Sequence, residues 1–173
     1  MQRVFDELGF VELLVTVAGV YEEIDFTEID DSQWARMLAV HLGGTVNACA
    51  AVVGPMRQAG RGCIVTISSE LALSGDGRDA HYAAAKGAVV GFTQSLGAEV
   101  APHGVRVVSV APGPTDTPLL GEDSPARTAA YLSTIPLGRL VRPQEVADTV
   151  AFLATEGTYF AGQVVSPNAG KVI

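Results

Sequence analysis

Tyr82 and Lys86 stand four residues apart in "HYAAAKGAVVGF" (residues 81–92), with only alanines between them. On a helix that spacing puts a phenol and an ammonium on one face, one turn apart. A phenol ionises at a pH of about 10, too high to exchange protons readily at neutrality, and each unit of change requires about 1.4 kcal/mol. Two unit charges about 4 Å apart attract by roughly 1 kcal/mol in water and by roughly 4 at an effective dielectric of 20. In a sheltered cleft, Lys86 is therefore expected to draw the Tyr82 ionisation towards neutrality by about two or three pH units. Ser69 follows the apolar run "GCIVTIS", thirteen residues before Tyr82. A hydroxyl at the carboxyl end of a parallel strand can hold a substrate oxygen while the phenol exchanges its proton. Strand-end serines more often satisfy turn backbone, and a Tyr–Lys pair alone is more often surface decoration. The three residues together carry the chemistry.

The elements that must position them alternate along the chain. "VELLVTVAGV", "GCIVTIS", "VRVVSVAPG" and "GQVVS" read as four short apolar strands. Between them lie a long helical stretch, "QWARMLAVHLGGTVNACAAVVGPM", weakened by Gly43 and Gly44, and a small-residue helix near residues 79–101. "SPARTAAYLS" and "PQEVADTVAFLA" read as two more helices, each with proline near its first turn. Strands apolar throughout and separated by helices indicate a parallel sheet covered on both faces, an α/β doubly wound pattern. No linker divides the 173 residues, so they read as one domain or part of one.

Composition narrows the function. A net charge of −8 with no basic stripe argues against nucleic acid as a partner. No single apolar run approaches the roughly 18 residues of a membrane span, and the start lacks a secretory apolar core, so the expected location is cytoplasmic. Cys49 and Cys63 fit no metal spacing and read as small core residues, and the three scattered histidines predict no metal site.

With "TVAG", "ISS", "YAAAK" and "VAPGPTDTP" in this order, the chain resembles the short-chain dehydrogenase/reductase family, especially members similar to 3-oxoacyl carrier protein reductases. The likeness runs from end to end. It implies hydride transfer between NAD or NADP and a carbonyl or secondary alcohol of a small molecule. Tyr82 is then the general acid/base, Ser69 orients the substrate oxygen, and Lys86 lowers the tyrosine and grips the nicotinamide ribose. Val17, Ala18 and Gly19 match the family turn beside the cofactor, and Pro112, Gly113, Thr115 and Thr117 match the segment bordering the nicotinamide. Homodimers or homotetramers through the two long helices are also implied.

The chain departs from that pattern in several places. Thr16 and Val17 replace two asparagines whose amides tie neighbouring strands. His41 falls where the family has a fourth catalytic asparagine; it is expected either to replace it in a proton relay, titrating near pH ~6.5, or to be buried or interfacial. "SPNAG" replaces an acidic "VDGG". The glycine-rich turn that seats a pyrophosphate is not found after any strand. On the resemblance, residues 1–173 are a single partial Rossmann-like domain, the C-terminal part of a doubly wound sheet lacking its first three strands. The expected activity is weak or absent, and the alternative is a non-catalytic fragment acting as an oligomerisation partner. A hydrolase is disfavoured because no G-x-S-x-G elbow occurs.

Overall fold

Four parallel strands, β1 (Leu13–Thr16), β2 (Gly62–Ile67), β3 (Val105–Val110) and β4 (Val164–Val165), form one sheet in the order β1-β2-β3-β4. The computed structural model describes residues 2–172. The helices are α1 (Gln2–Leu8), α2 (Asp31–Leu38), α3 (Gly44–Ala59), α4 (Leu71–Ser74), α5 (Ala80–Val100), α6 (Ala129–Leu132) and α7 (Pro143–Thr155). Alternation within the strands sends side chains to both faces, and both faces are buried. On one, Ile64, Val105 and Val107 pack with Cys49, Val52 and Met56 of α3 and Val100 of α5. On the other, Cys63, Val65, Val108 and Val110 pack against Leu153 of α7. Both cysteines are free and buried in these clusters, as small core residues. The α/β Rossmann-like architecture read from the sequence is the observed one.

The long helical stretch is not one uniform α-helix. Asp30 caps α2 in a reciprocal capping box with Gln33. A π-helical turn over Ala39–Gly43 then joins α2 to α3. Such turns insert a residue into the helical ladder and turn a side chain out of register; here that side chain is His41. The rod Asp31–Ala59 contains an 18-residue window of mean hydropathy 1.5, so by length and composition it could cross a membrane. Reading its short apolar runs separately missed this. Its contacts with the sheet through Cys49, Val52 and Met56 place it as a helix of the core.

Two other expectations change. "SPARTAAYLS" is not a single helix: a 3₁₀ turn (Pro125–Arg127) is followed by the four-residue α6, because Thr128 takes an extended conformation and caps the new start through Tyr131 N. Arg106, the second residue of β3, donates to the carbonyls of Leu153 (2.7 Å), Ala154 (3.0 Å) and Gly157 (3.0 Å), closing the end of α7. Among the described residues β1 pairs on one side only, with β2, and Leu13 and Val17 are exposed beside it.

Candidate active site

The carboxyl ends of β1, β2 and β3 open into one cavity of about 800 Å³. Ser69 leaves β2, α5 brings Tyr82 and Lys86, and the π turn brings His41; all four line this cavity. Each is nearly inaccessible: Ser69 and Tyr82 are 8% exposed, Lys86 5% and His41 2%. Tyr82 is set by a small cluster in which it packs with Met37 of α2 and Ala85, flanked by Val20, Tyr21 and Leu71.

The adjacent serines divide their tasks. Ser68 Oγ donates to Lys86 O (2.9 Å) and holds α5 against the strand end. Ser69 Oγ accepts from Leu71 N (3.2 Å) and bonds Tyr82 through its side chain. Its own proton is therefore directed to the phenol or to a substrate oxygen.

The phenol is not acidified as the spacing suggested. Burial pushes Tyr82 up to about 12; the Ser69 hydrogen bond opposes this and Asp79 adds to it. Lys86 makes no comparable contribution, because its Nζ donates to Ile67 O (2.9 Å) and sits 5.7 Å from the centre of the Tyr82 ring. Burial lowers Lys86 itself to about 8. Desolvation has outweighed attraction at this separation.

His41 Nε2 lies 2.8 Å from Val20 O and so carries the proton. Val20 N, 3.3 Å from the same nitrogen, is the longer contact and does not decide the tautomer. Nδ1 is left as a buried acceptor without a partner. Burial first, then the Lys86 charge, lowers His41 to about 4, with the Val20 bond opposing; the expected titration near 6.5 is not met. Its ring meets Tyr82 edge-on with centres 5.4 Å apart, so His41 is both a buried residue and a cavity wall.

Of the turn residues, Val17, Gly19, Pro112, Gly113, Thr115 and Thr117 line the cavity, whereas Ala18 is exposed outside its lining. Internal packing alone requires both glycines. A Cβ on Gly19 would come within 2.7 Å of His41 Cε1. One on Gly113 would come within 3.0 Å of Asn168 Cα and 3.1 Å of Glu70 Oε2. Thr115 Oγ1 donates to Gly113 O (2.8 Å). Thr16 Oγ1 accepts from Thr45 Oγ1 of α3 (3.4 Å). Within the "SPNAG" segment, Asn168 stitches the closing turn through Ser166, Gly170 and Val172.

Sequence reasoning missed the carboxylates. Glu70 and Asp79 line the cavity at 3% and 4% exposure, each with one buried oxygen lacking a partner. Burial raises Glu70 to about 7, opposed by Lys171, and raises Asp79 to about 6, opposed by a Tyr21 hydrogen bond. Tyr21 stacks edge-on against Tyr82 with ring centres 5.0 Å apart. The acids beside the "SS" and "HY" motifs were visible as letters, but their burial comes from Tyr21, Gly113 and Asn168, which are distant in sequence.

Comparison with known proteins agrees with this geometry. The family profile described as enoyl-(acyl carrier protein) reductase matches residues 1–171. The 3-oxoacyl-[acyl-carrier-protein] reductase FabG of Chlamydia trachomatis is 33% identical over 98% of this chain and 69% of its own length. The corresponding Escherichia coli protein is 35% identical, over 98% and 70%. The short-chain reductase NovJ of Streptomyces niveus is 38% identical, over 96% and 66%. A crystal structure of a short-chain dehydrogenase/reductase from Brucella melitensis, described as glucose/ribitol dehydrogenase, superposes with a TM-score of 0.91 at 31% identity, over 99% of this chain and 69% of that one. With Ser69, Tyr82 and Lys86 gathered at the strand ends of such a sheet, the chain belongs to the short-chain dehydrogenase/reductase family of oxidoreductases.

Proposed function

We propose that the chain reduces a carbonyl of a small molecule with a nicotinamide cofactor, Tyr82 acting as the proton donor. The observation that carries this reading is the convergence of Ser69, Tyr82 and Lys86 on one cavity at the carboxyl ends of β1, β2 and β3. A nicotinamide, when bound, supplies the hydride. The wall suits its ring and ribose: Lys86 keeps two N–H donors beyond the one given to Ile67 O, and the Thr115 and Thr117 hydroxyls retain acceptor lone pairs. Val17, Gly19, Pro112 and Gly113 line the cavity, and their backbone is the edge along which it would lie. NAD and NADP both fit this description.

The chain's own part is proton transfer and orientation. Ser69 donates to the carbonyl oxygen and holds it against Tyr82, whose neutral phenol gives up its proton as negative charge develops there. The Ser69 hydrogen bond then stabilises the phenolate. His41, neutral, braces the Tyr82 ring and offers Nδ1 as the acceptor of a proton path in place of the family asparagine. The exposed apolar side chains Leu38 and Val46 along the α2–α3 rod support self-association through the long helices.

The test is nicotinamide absorbance with a panel of ketones and both reduced cofactors. Tyr82→Phe is expected to lower the rate about 10²–10⁴-fold, the usual worth of a positioned acid/base. An unchanged rate, or no turnover by the unsubstituted chain, overturns the reading.

A further inference from the structure

We propose that Asp79, with Tyr21, Glu23 and Asp76 around it, forms a subsite for an ammonium group carried by the substrate close to the reacting carbon. The inference rests on the reductase reading for the position of that carbon, and it names a substrate class, amino ketones and amino alcohols, that the family resemblance does not supply.

Charge distribution is the first support. Among the described residues, four carboxylates line the cavity, those of Glu23, Glu70, Asp76 and Asp79, and Lys86 is the one Lys or Arg that does so. Lys86 is turned to Ile67 O. Nearby cations are already paired. Arg78 bonds Asp25 (3.0 Å) and reaches Glu23 at 3.9 Å, and the Lys171 ammonium that opposes the charge of Glu70 donates to Thr134 Oγ1 (2.6 Å). Asp76 accepts from Gly77 N (2.7 Å). Such a wall attracts a cation.

The second support is independent of charge and comes from Asp79 itself. It occupies the residue before α5, where an aspartate ordinarily accepts from the free amides of the first turn. Here its side chain caps nothing. The Tyr21 hydroxyl, which donates to Glu23 Oε1 (3.2 Å), lies near the carboxylate, and Oδ1, which is buried, has no hydrogen-bond partner among the described residues. A buried acceptor without a partner, on a carboxylate that lines the cavity and has forgone its capping role, is an unfilled hydrogen-bonding position. Asp79 lies three residues before Tyr82, so the two share a helix face. Tyr21 neighbours both, its ring edge-on to Tyr82 and its hydroxyl near Asp79 while donating to Glu23 Oε1. An ammonium held by Asp79 therefore sits within a few bonds of the oxygen that Tyr82 protonates.

The experiment titrates the chain, without reductant, with phenylethanolamine, its neutral isostere 1-phenylpropanol and the anion mandelate, reading heats of binding. The amine is expected to bind about 10-fold more tightly than the neutral alcohol, with mandelate weakest. Asp79→Asn should collapse the amine preference to within about 2-fold, and Asp79→Glu should keep most of it. Equal binding of the three alcohols, binding of none, or an amine preference that survives Asp79→Asn overturns the subsite. A parallel assay follows reduction of neutral propiophenone. Tyr82-dependent reduction without amine preference refutes the subsite and leaves the reductase reading standing. Amine preference without any ketone reduction does the reverse.

Discussion

Glu70→Gln isolates a charge that the fold buries with little in return. Glu70 is 3% exposed, Oε2 has no hydrogen-bond partner, and burial raises its ionisation from 4.5 to about 7. An acid held above its unfolded value binds its proton more tightly in the native state. Its contribution is therefore fully present below pH 4.5 and is lost as pH rises through about 7. At about 1.4 kcal/mol per pH unit the bound is roughly 3 kcal/mol; water reaching the open cavity reduces this to about 2. Glutamine keeps the shape and cannot ionise. The stability difference, variant minus native sequence, should therefore grow by about 2 kcal/mol between pH 4.5 and pH 8. With a urea slope of about 2 kcal/mol per molar, that is a relative midpoint shift of about 1 M. Asp79 has the same sign between 3.8 and about 6, and His41 the opposite sign between about 4 and 6.5, but both cancel in the comparison. Parallel pH profiles for the two proteins would refute the burial argument.

Three further outcomes follow from the packing. Gly19→Ala drives a methyl to 2.7 Å from His41 Cε1 and should cost about 1–3 kcal/mol by urea melt, with most of it recovered in Gly19→Ala/His41→Ala; no recovery would mean that the clash lies elsewhere. Arg106→Met removes all three donors from the end of α7 and should destabilise by about 2–4 kcal/mol, with amide exchange accelerated at residues 153–157; unchanged exchange there would refute the capping role. His41→Asn should leave the rate–pH profile above pH 5 unshifted, because the histidine is already neutral there, while changing the rate itself; a shifted pH profile would contradict the lowered ionisation.

Much of the fold was legible because each strand is an uninterrupted apolar run buried on both faces, which leaves little freedom in its assignment. The helix expected near residues 79–101 is α5, at 80–100. The Gly43-Gly44 pair marked a weak point in the long rod, but the π turn depends on His41 finding Val20 O across the cavity mouth. Ser69, Tyr82, Lys86 and His41 were legible as one site from their spacing and resemblance. The electrostatic state of that site was not. An i,i+4 argument fixes which face two side chains share, whereas the partner each head group takes depends on what the sheet presents, here Ile67 O for Lys86.

That distinction bears on the direction of the chemistry. An acidified tyrosine at neutral pH would be poised to accept a proton and oxidise an alcohol. Tyr82, kept neutral by burial and by the field of Asp79, holds the proton that reduction of a carbonyl consumes. Removing the Asp79 charge should shift this balance. In Asp79→Asn the phenol loses a repulsive neighbour, so its ionisation should fall and alcohol oxidation should gain relative to ketone reduction at a given pH. The measurement is the pH at which the oxidation rate reaches half its plateau, compared between the two proteins. A lower value in the variant supports the reasoning; an identical value would leave burial alone in control of the phenol and remove Asp79 from the account of Tyr82.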